Sequence, residues 1–219
     1  SQDAQILALF TVGDDIKLID LSQKQVIASL SHSEDISDID LSANGQVLLV
    51  CDYQENWSDC RYYQPDSFAP IMDFRLEERV VHARVSADGR YLVGINDAQS
   101  LLVFDVAQAL PVAQIDVGSN ISTFDFADDL SKIVIGTMTG HYHLWDLDKG
   151  KVTLEDDFGE SIHKIVVNDN LALITGRFKD DLVINLERLT KIALFNPDNK
   201  AKRLPSQIIS AAFHPILTN

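Results

Sequence analysis

A short β-patterned unit recurs about every 41 residues along this chain, and no other feature limits its possible folds as strongly. Its clearest copy runs from Gly140 to Val152. His141 to Leu147 alternate polar and apolar residues around Trp145-Asp146, Asp148-Lys149-Gly150 supply turn chemistry with a glycine able to take positive φ, and a second strand begins at Lys151. An aromatic or aliphatic residue followed by Asp, Asn or Gln recurs as Ile19-Asp20, Tyr63-Gln64, Phe104-Asp105 and Ile184-Asn185, with successive copies 44, 41, 41 and 39 residues apart. An upstream strand keeps nearly the same period, starting at Ile36, Val80, Ile121, Ile162 and Ile208. Two markers sharing one period identify a structural repeat.

Each period holds four short β-patterned segments, a to d. In one full copy these are Val80 to Ser86, Tyr91 to Ile95, Leu101 to Val106 and Pro111 to Asp116, punctuated by Ala87-Asp88-Gly89-Arg90 and Asn96-Asp97-Ala98-Gln99. No useful length shows helical periodicity. Four antiparallel strands every 40 to 45 residues predict an all-β fold, a β-propeller of four-stranded blades.

Several stretches resemble the tryptophan-aspartate (WD) repeat family. Trp145-Asp146 and Leu147 to Lys151 match the end of its strand c, and Ser29 to Ile36, with His32, resembles the stretch around its Gly-His dipeptide. Ser42-Ala43-Asn44-Gly45-Gln46 and Ser86-Ala87-Asp88-Gly89-Arg90 look like its a–b turn. The resemblance covers essentially the whole chain and implies a scaffold that binds other proteins, with His32, Trp145 and Asp146 in structural roles.

About five blades are expected in one domain over residues 1–219: 1–31 together with 206–219, then 32–75, 76–117, 118–157 and 158–205. The chain opens on strands b, c and d and ends on an isolated strand a, Ile208 to His214, so this strand would complete the first blade and close the ring. A fragment of a larger, seven-bladed propeller is the alternative. Ser1 rather than Met leaves a removed signal peptide and a trimmed start both open.

A net charge of −15, from 33 acidic and 18 basic residues, repels phosphates and anionic lipid surfaces, which argues against nucleic acid and membrane partners. No apolar run reaches the ~18 residues that would cross a bilayer as a helix. The expected partner is a protein with a basic surface. With propeller wiring, the b–c and d–a connections share one rim, which collects Asp14, Asp15, Glu34, Asp35, Asp52, Glu55, Asp59, Glu77, Glu78, Asp97, Asp156, Asp157, Glu160, Asp180 and Asp181. Solvated loop carboxylates are the plain alternative. The b–c connection Asp52 to Asp59 reads as an elongated loop with Trp57 at its tip, and loop aromatics ringed by polar groups suit recognition. The candidate partner-binding residues are accordingly Tyr53, Glu55, Trp57, Asp59, Glu77, Glu78, Asp156, Asp157, Asp180 and Asp181, with Trp57 folded back over its own blade as the competing placement.

Cys51 and Cys60 align with Ile95 and Leu101, positions that should face each other across a hairpin. A bridge there would stabilise by roughly 2–3 kcal/mol in the chain-entropy model and would place the protein in a periplasmic or other extracytoplasmic compartment; two buried thiols would fit the cytoplasm. His141 and His143 share a strand face, but the six histidines do not converge on one metal-binding pattern. No Gly-x-Ser-x-Gly, phosphate-cradling glycine loop or His-Glu-x-x-His is present, so neither catalytic residues, metal nor cofactor are expected. A non-catalytic interaction scaffold is the first functional reading. An extracytoplasmic accessory or ligand-binding propeller, serving a respiratory or metal-dependent enzyme, is the second.

Overall fold

The computed structural model describes residues 6–10, 15–31, 36–42, 45–127, 130–178 and 180–195, with the backbone alone for Tyr53 and residues 193–195. Among them every regular element is a β-strand, and the strands form five antiparallel sheets in sequence order. The chain divides between Asp116 and Val117 into two compact units.

The first unit holds a three-stranded sheet, β1 (Ile6–Leu9), β2 (Ile16–Asp20) and β3 (Gln25–Leu30). Two four-stranded sheets follow. One comprises β4 (Ile36–Leu41), β5 (Leu48–Tyr53), β6 (Ser58–Tyr63) and β7 (Pro70–Leu76). The other comprises β8 (Val80–Val85), β9 (Tyr91–Asn96), β10 (Leu101–Asp105) and β11 (Leu110–Ile115). The second unit has two four-stranded sheets: β12 (Ile121–Phe126), β13 (Lys132–Thr137), β14 (His141–Asp146) and β15 (Lys151–Asp157), then β16 (Lys164–Asn168), β17 (Leu171–Thr175), β18 (Asp181–Asn185) and β19 (Thr190–Phe195). The expected closing strand, Ile208 to His214, and His32 lie outside the described residues.

The recurring doublet has a local cause. Asp20, Asp105, Asp146 and Asn185 each accept, through Oδ1, the backbone N–H three residues on, from Gln23 (2.9 Å), Gln108 (3.1 Å), Lys149 (3.0 Å) and Arg188 (2.7 Å). This side-chain bond closes the turn between the last two strands of each of these sheets. In the second sheet the Gln64 carbonyl accepts from Phe68 N–H instead (2.9 Å). The residue four past the doublet position then takes positive φ in all five copies: Lys24, Phe68, Ala109, Gly150 and Leu189, at 53° to 60°. Glycine stands there in one copy alone, as Gly150.

Past the doublet the outer strand carries one extra residue, Ile27, Ile71, Val112, Thr153 or Ile192, at a register shift repeated in every sheet. Such bulges, with Pro70 and Pro111 on β7 and β11, blunt an edge that would otherwise template pairing. Inward faces pack sheet on sheet. Leu49, Cys51, Cys60, Tyr62 and Leu76 meet Val80, Ala83, Leu92 and Phe104 in the first unit, and Val134, Tyr142 and Leu144 meet Ile165, Ala172 and Ile174 in the second. Successive sheets of a unit touch through their first strands, β4 against β8 and β12 against β16. Trp145, half-buried, points to the strand face opposite Tyr142 and Leu144, and its buried Nε1 has no hydrogen-bond partner among the described residues.

Candidate functional site

The stretch from Asp52 to Asp59 is not an elongated loop. β5 and β6 continue two rungs beyond the neighbouring hairpin's limit, pairing Asp52 with Asp59 and Tyr53 with Ser58, so the turn is only residues 54–57, closed by Gln54 N–H donating to the Trp57 carbonyl at 3.1 Å. The additional residues lengthen the strands because each can pair with one directly opposite. Asp52 is therefore no rim loop carboxylate. It is fully buried, and Arg61 Nη1 donates to its Oδ2 at 2.9 Å.

Trp57 is half-buried, with Nε1 donating to Asp59 Oδ2 at 3.3 Å and the Arg75 guanidinium 4.8 Å over its ring. Arg75 in turn grips Asp59 with Nε at 2.8 Å and Nη2 at 3.2 Å. The Arg75 and Trp57 hydrogen bonds hold the Asp59 carboxyl below the usual range. Trp57 thus lies over its own sheet and braces the hairpin, leaving Glu55 and Asn56 as the exposed tip.

One end of the Cys51–Cys60 disulfide lies on each arm of that hairpin, at directly opposed positions with Cα atoms 4.1 Å apart. Ile95 and Leu101 occupy the same rung of the next sheet, as their alignment implies. Both cysteines are buried.

Beside the tip is an open depression of about 420 Å³, lined by Glu55, Asn56, Glu77, Glu78, Arg79, Asp97, Ala98 and Gln114. Three separate connections of the first unit build it: the β5–β6 turn, the β7–β8 link and the β9–β10 turn. Four carboxylates face one guanidinium, and Arg79 Nη1 lies 3.5 Å from Asp97 Oδ2. Asp97 N–H donates to the Arg79 carbonyl at 3.1 Å, and buried Asn96 donates from Nδ2 to Glu78 Oε2 while its Oδ1 accepts from Ser100 N–H at 2.9 Å. The walls are pinned from beneath, and Glu55 and Glu77 point into solvent. Of the sequence candidates the fold brings together Glu55, Glu77 and Glu78. Arg79, Ala98 and Gln114 were missed, Gln114 because a polar residue on an outer strand carries no signal of its own.

The second unit's candidates are each engaged in contacts of their own. Asp156 pairs with Lys191 Nζ at 2.8 Å and accepts from Tyr142 Oη at 3.2 Å; the Lys191 bond depresses its carboxyl, while burial and Asp156 push the Tyr142 hydroxyl up. Asp157 Oδ1 caps Gly159 N–H at 2.6 Å. Asp180 and Asp181 are half-buried, and burial followed by the charge of Asp180 raises the Asp181 carboxyl. Glu160 Oε1 accepts from Phe178 N–H at 2.8 Å, so it too holds a turn. Asp146, on the best repeat copy, is a buried structural acid whose Oδ2 accepts from Lys132 and Lys149, each at 2.8 Å. Among the described residues no three His, Cys, Asp or Glu side chains are placed to hold a metal ion.

No protein-family model matches the sequence, and no curated protein does. Among solved structures the chain is similar to the β-propeller domain of Cps50 (Swd1) from Myceliophteria thermophila, with a TM-score of 0.70 and 12% identity over 90% of this chain and 69% of that one. The fold is that of a β-propeller. Its sheets are blades, and the acidic depression lies where the b–c and d–a connections of the second and third blades meet.

Proposed function

We propose that this propeller is a non-catalytic scaffold, WD-like in its repeats, that binds a basic segment of a partner protein at the groove between Glu55, Glu77, Glu78 and Asp97. The observation that carries this reading is the convergence of four carboxylates from three connections on one open depression. Such a site favours a long lysine or arginine side chain by charge complementarity, which steers encounter as well as holding the complex. Nucleic acid and anionic lipid are opposed by the same charges and by the net −15 of the chain. Asp156, Asp157, Asp180 and Asp181 are proposed as secondary contacts, and Tyr53, Trp57 and Asp59 as supports of the hairpin. Replacing Glu55, Glu77 and Glu78 together by lysine is expected to abolish capture of an arginine-rich peptide, measured by calorimetry at low and physiological salt. Undiminished binding would remove the groove from consideration.

The same reading treats residues 1–219 as one propeller domain in which Ile208 to His214 supply the fourth strand of the first blade, beside β1. Truncation after residue 205 is expected to lower the melting temperature, and an unchanged transition would exclude this closure.

The disulfide favours a second element of the proposal, an extracytoplasmic location, since such bonds persist in oxidising compartments. Thiol titration of protein taken from its native compartment tests it; two reactive thiols under denaturing conditions would count against that placement.

A further inference from the structure

We propose that the Cys51–Cys60 disulfide is a redox latch on the acidic groove: its reduction by a dithiol releases the tip of the β5–β6 hairpin, and with it the groove wall carried by Glu55 and Asn56. This inference rests on the groove being the partner-binding site.

The bridge sits at the neck of the hairpin. Beyond it are two rungs, Asp52 with Asp59 and Tyr53 with Ser58, a four-residue turn, and one tie to the next sheet, where Val80 N–H donates to Ser58 Oγ at 2.9 Å. The rung next to the bridge opposes two carboxylates, an arrangement that destabilises an antiparallel pair. Arg61 offsets the buried Asp52, and Arg75 offsets Asp59. The Arg75 side chain is 53% exposed, and an ion pair so open to water holds weakly. The covalent bond is thus the strongest tie that keeps the like-charged rung closed. Below it, Cys51 and Cys60 pack with Leu49, Tyr62, Val80 and Ala83, where two thiols fill the same space as small apolar groups. Loss of the bond is therefore felt above the neck rather than in the blade.

The sulfurs belong to residues at most 1% exposed, so a reductant reaches them only when the short tip frays. A thiolate of the dithiol then attacks one sulfur, the S–S bond breaks, and the other sulfur leaves as a thiolate that takes up a proton. The second thiol of the reductant resolves the mixed disulfide. Two electrons and two protons end on Cys51 and Cys60, and the dithiol becomes a disulfide.

The test uses the full chain, oxidised or treated with dithiothreitol without denaturant, with thiols counted by alkylation. Hydrogen exchange is followed at residues 52–59 and 83–105, and octa-arginine is titrated into each form. Reduction is expected to yield two thiols, to lower protection of 52–59 at least about tenfold with 83–105 unchanged, and to weaken peptide binding about tenfold, as ordering a few tip residues anew requires. The double variant Cys51→Ala/Cys60→Ala is expected to match the reduced form under both conditions. Absence of thiols without denaturant, unchanged protection after reduction, or loss of protection throughout the unit would each overturn the latch. Failure of octa-arginine to bind even the oxidised chain would overturn the groove reading instead, and is distinguishable because exchange reads the hairpin directly.

Discussion

Asp40 on β4 accepts a hydrogen bond at Oδ2 from the backbone N–H of Val85 on β8, 2.8 Å away in the next blade. Asp125 on β12 accepts from Val167 N–H on β16 at the same 2.8 Å, and the two acids occupy the same place in their repeats. A carboxylate therefore stitches the first strand of one blade to the first strand of the next, a gap that the backbone ladder within each blade cannot bridge. Asp38 adds a second stitch, accepting at Oδ2 from Ala83 N–H (2.9 Å) and His82 Nδ1 (2.7 Å).

Alanine at Asp40 or Asp125 is expected to cost about 1–3 kcal/mol in urea unfolding, because each leaves a backbone N–H without its acceptor. Asparagine at position 40 keeps an acceptor and costs less. Burial raises the Asp40 carboxyl above its ordinary value, with Arg84 opposing, so wild-type stability from this group is fullest at low pH and declines as pH rises through the folded value. The stability gap between Asp40→Asn and wild type should therefore shift in favour of the variant from about pH 4 upward.

Ala109 and Leu189 hold φ of 53° without being glycine. Glycine at either position is expected to raise stability by about 0.5–1 kcal/mol, because the left-handed conformation costs an L side chain about that much or more. Chemical denaturation of each variant checks this, and a loss of stability would show that the turn relies on those side chains.

His143 is buried, which lowers its proton affinity below the ordinary 6.5, with Glu155 Oε2 3.9 Å away opposing the shift. Its folded value is depressed, so the stability it contributes is complete above about pH 6.5 and is lost as pH falls through the folded value. His143→Gln should flatten the melting temperature between pH 7 and 5 relative to wild type. Parallel curves would place the acid sensitivity elsewhere.

The Lys132 and Lys149 bonds keep the Asp146 carboxyl well below the usual carboxylate range. A depressed acid contributes stability above its unfolded value and loses it as pH drops through the folded one, so the contribution is intact at neutral pH and fades below about pH 4. Asp146→Ala is expected to cost about 2–3 kcal/mol at pH 7, since it removes charge-assisted bonds and leaves the Lys132 side chain, 23% exposed, without its anion. The cost should shrink on acidification.

Much of the blade plan was legible because its causes are local. The doublets mark turns closed by a side chain three residues from its donor, and the Cys51 to Ile95 and Cys60 to Leu101 alignment follows from counting along paired strands. Length was misread at Asp52 to Asp59, where polar residues look like a loop but pair as strand once their partners stand opposite. Trp57 had two placements open, an exposed tip or a fold back over its own blade, and Arg75, on a different strand, draws it onto the sheet. The Asp40 stitch left a trace in the shared fifth-position aspartate of Ile36 to Ser42 and Ile121 to Ala127, but its acceptor role needs the next blade.

By itself the sequence determined the period, the four strands of the second to fifth blades and the chemistry of the turns, all set by interactions between residues a few positions apart. Only the tertiary structure decided that Asp52 is buried against Arg61 while Glu55 and Glu77 stay in water, and that residues 55, 77–79, 97 and 114 share one depression. Burial and electrostatic convergence depend on which chain segments meet across tens of residues, and those meetings are fixed by blade packing rather than by local spacing.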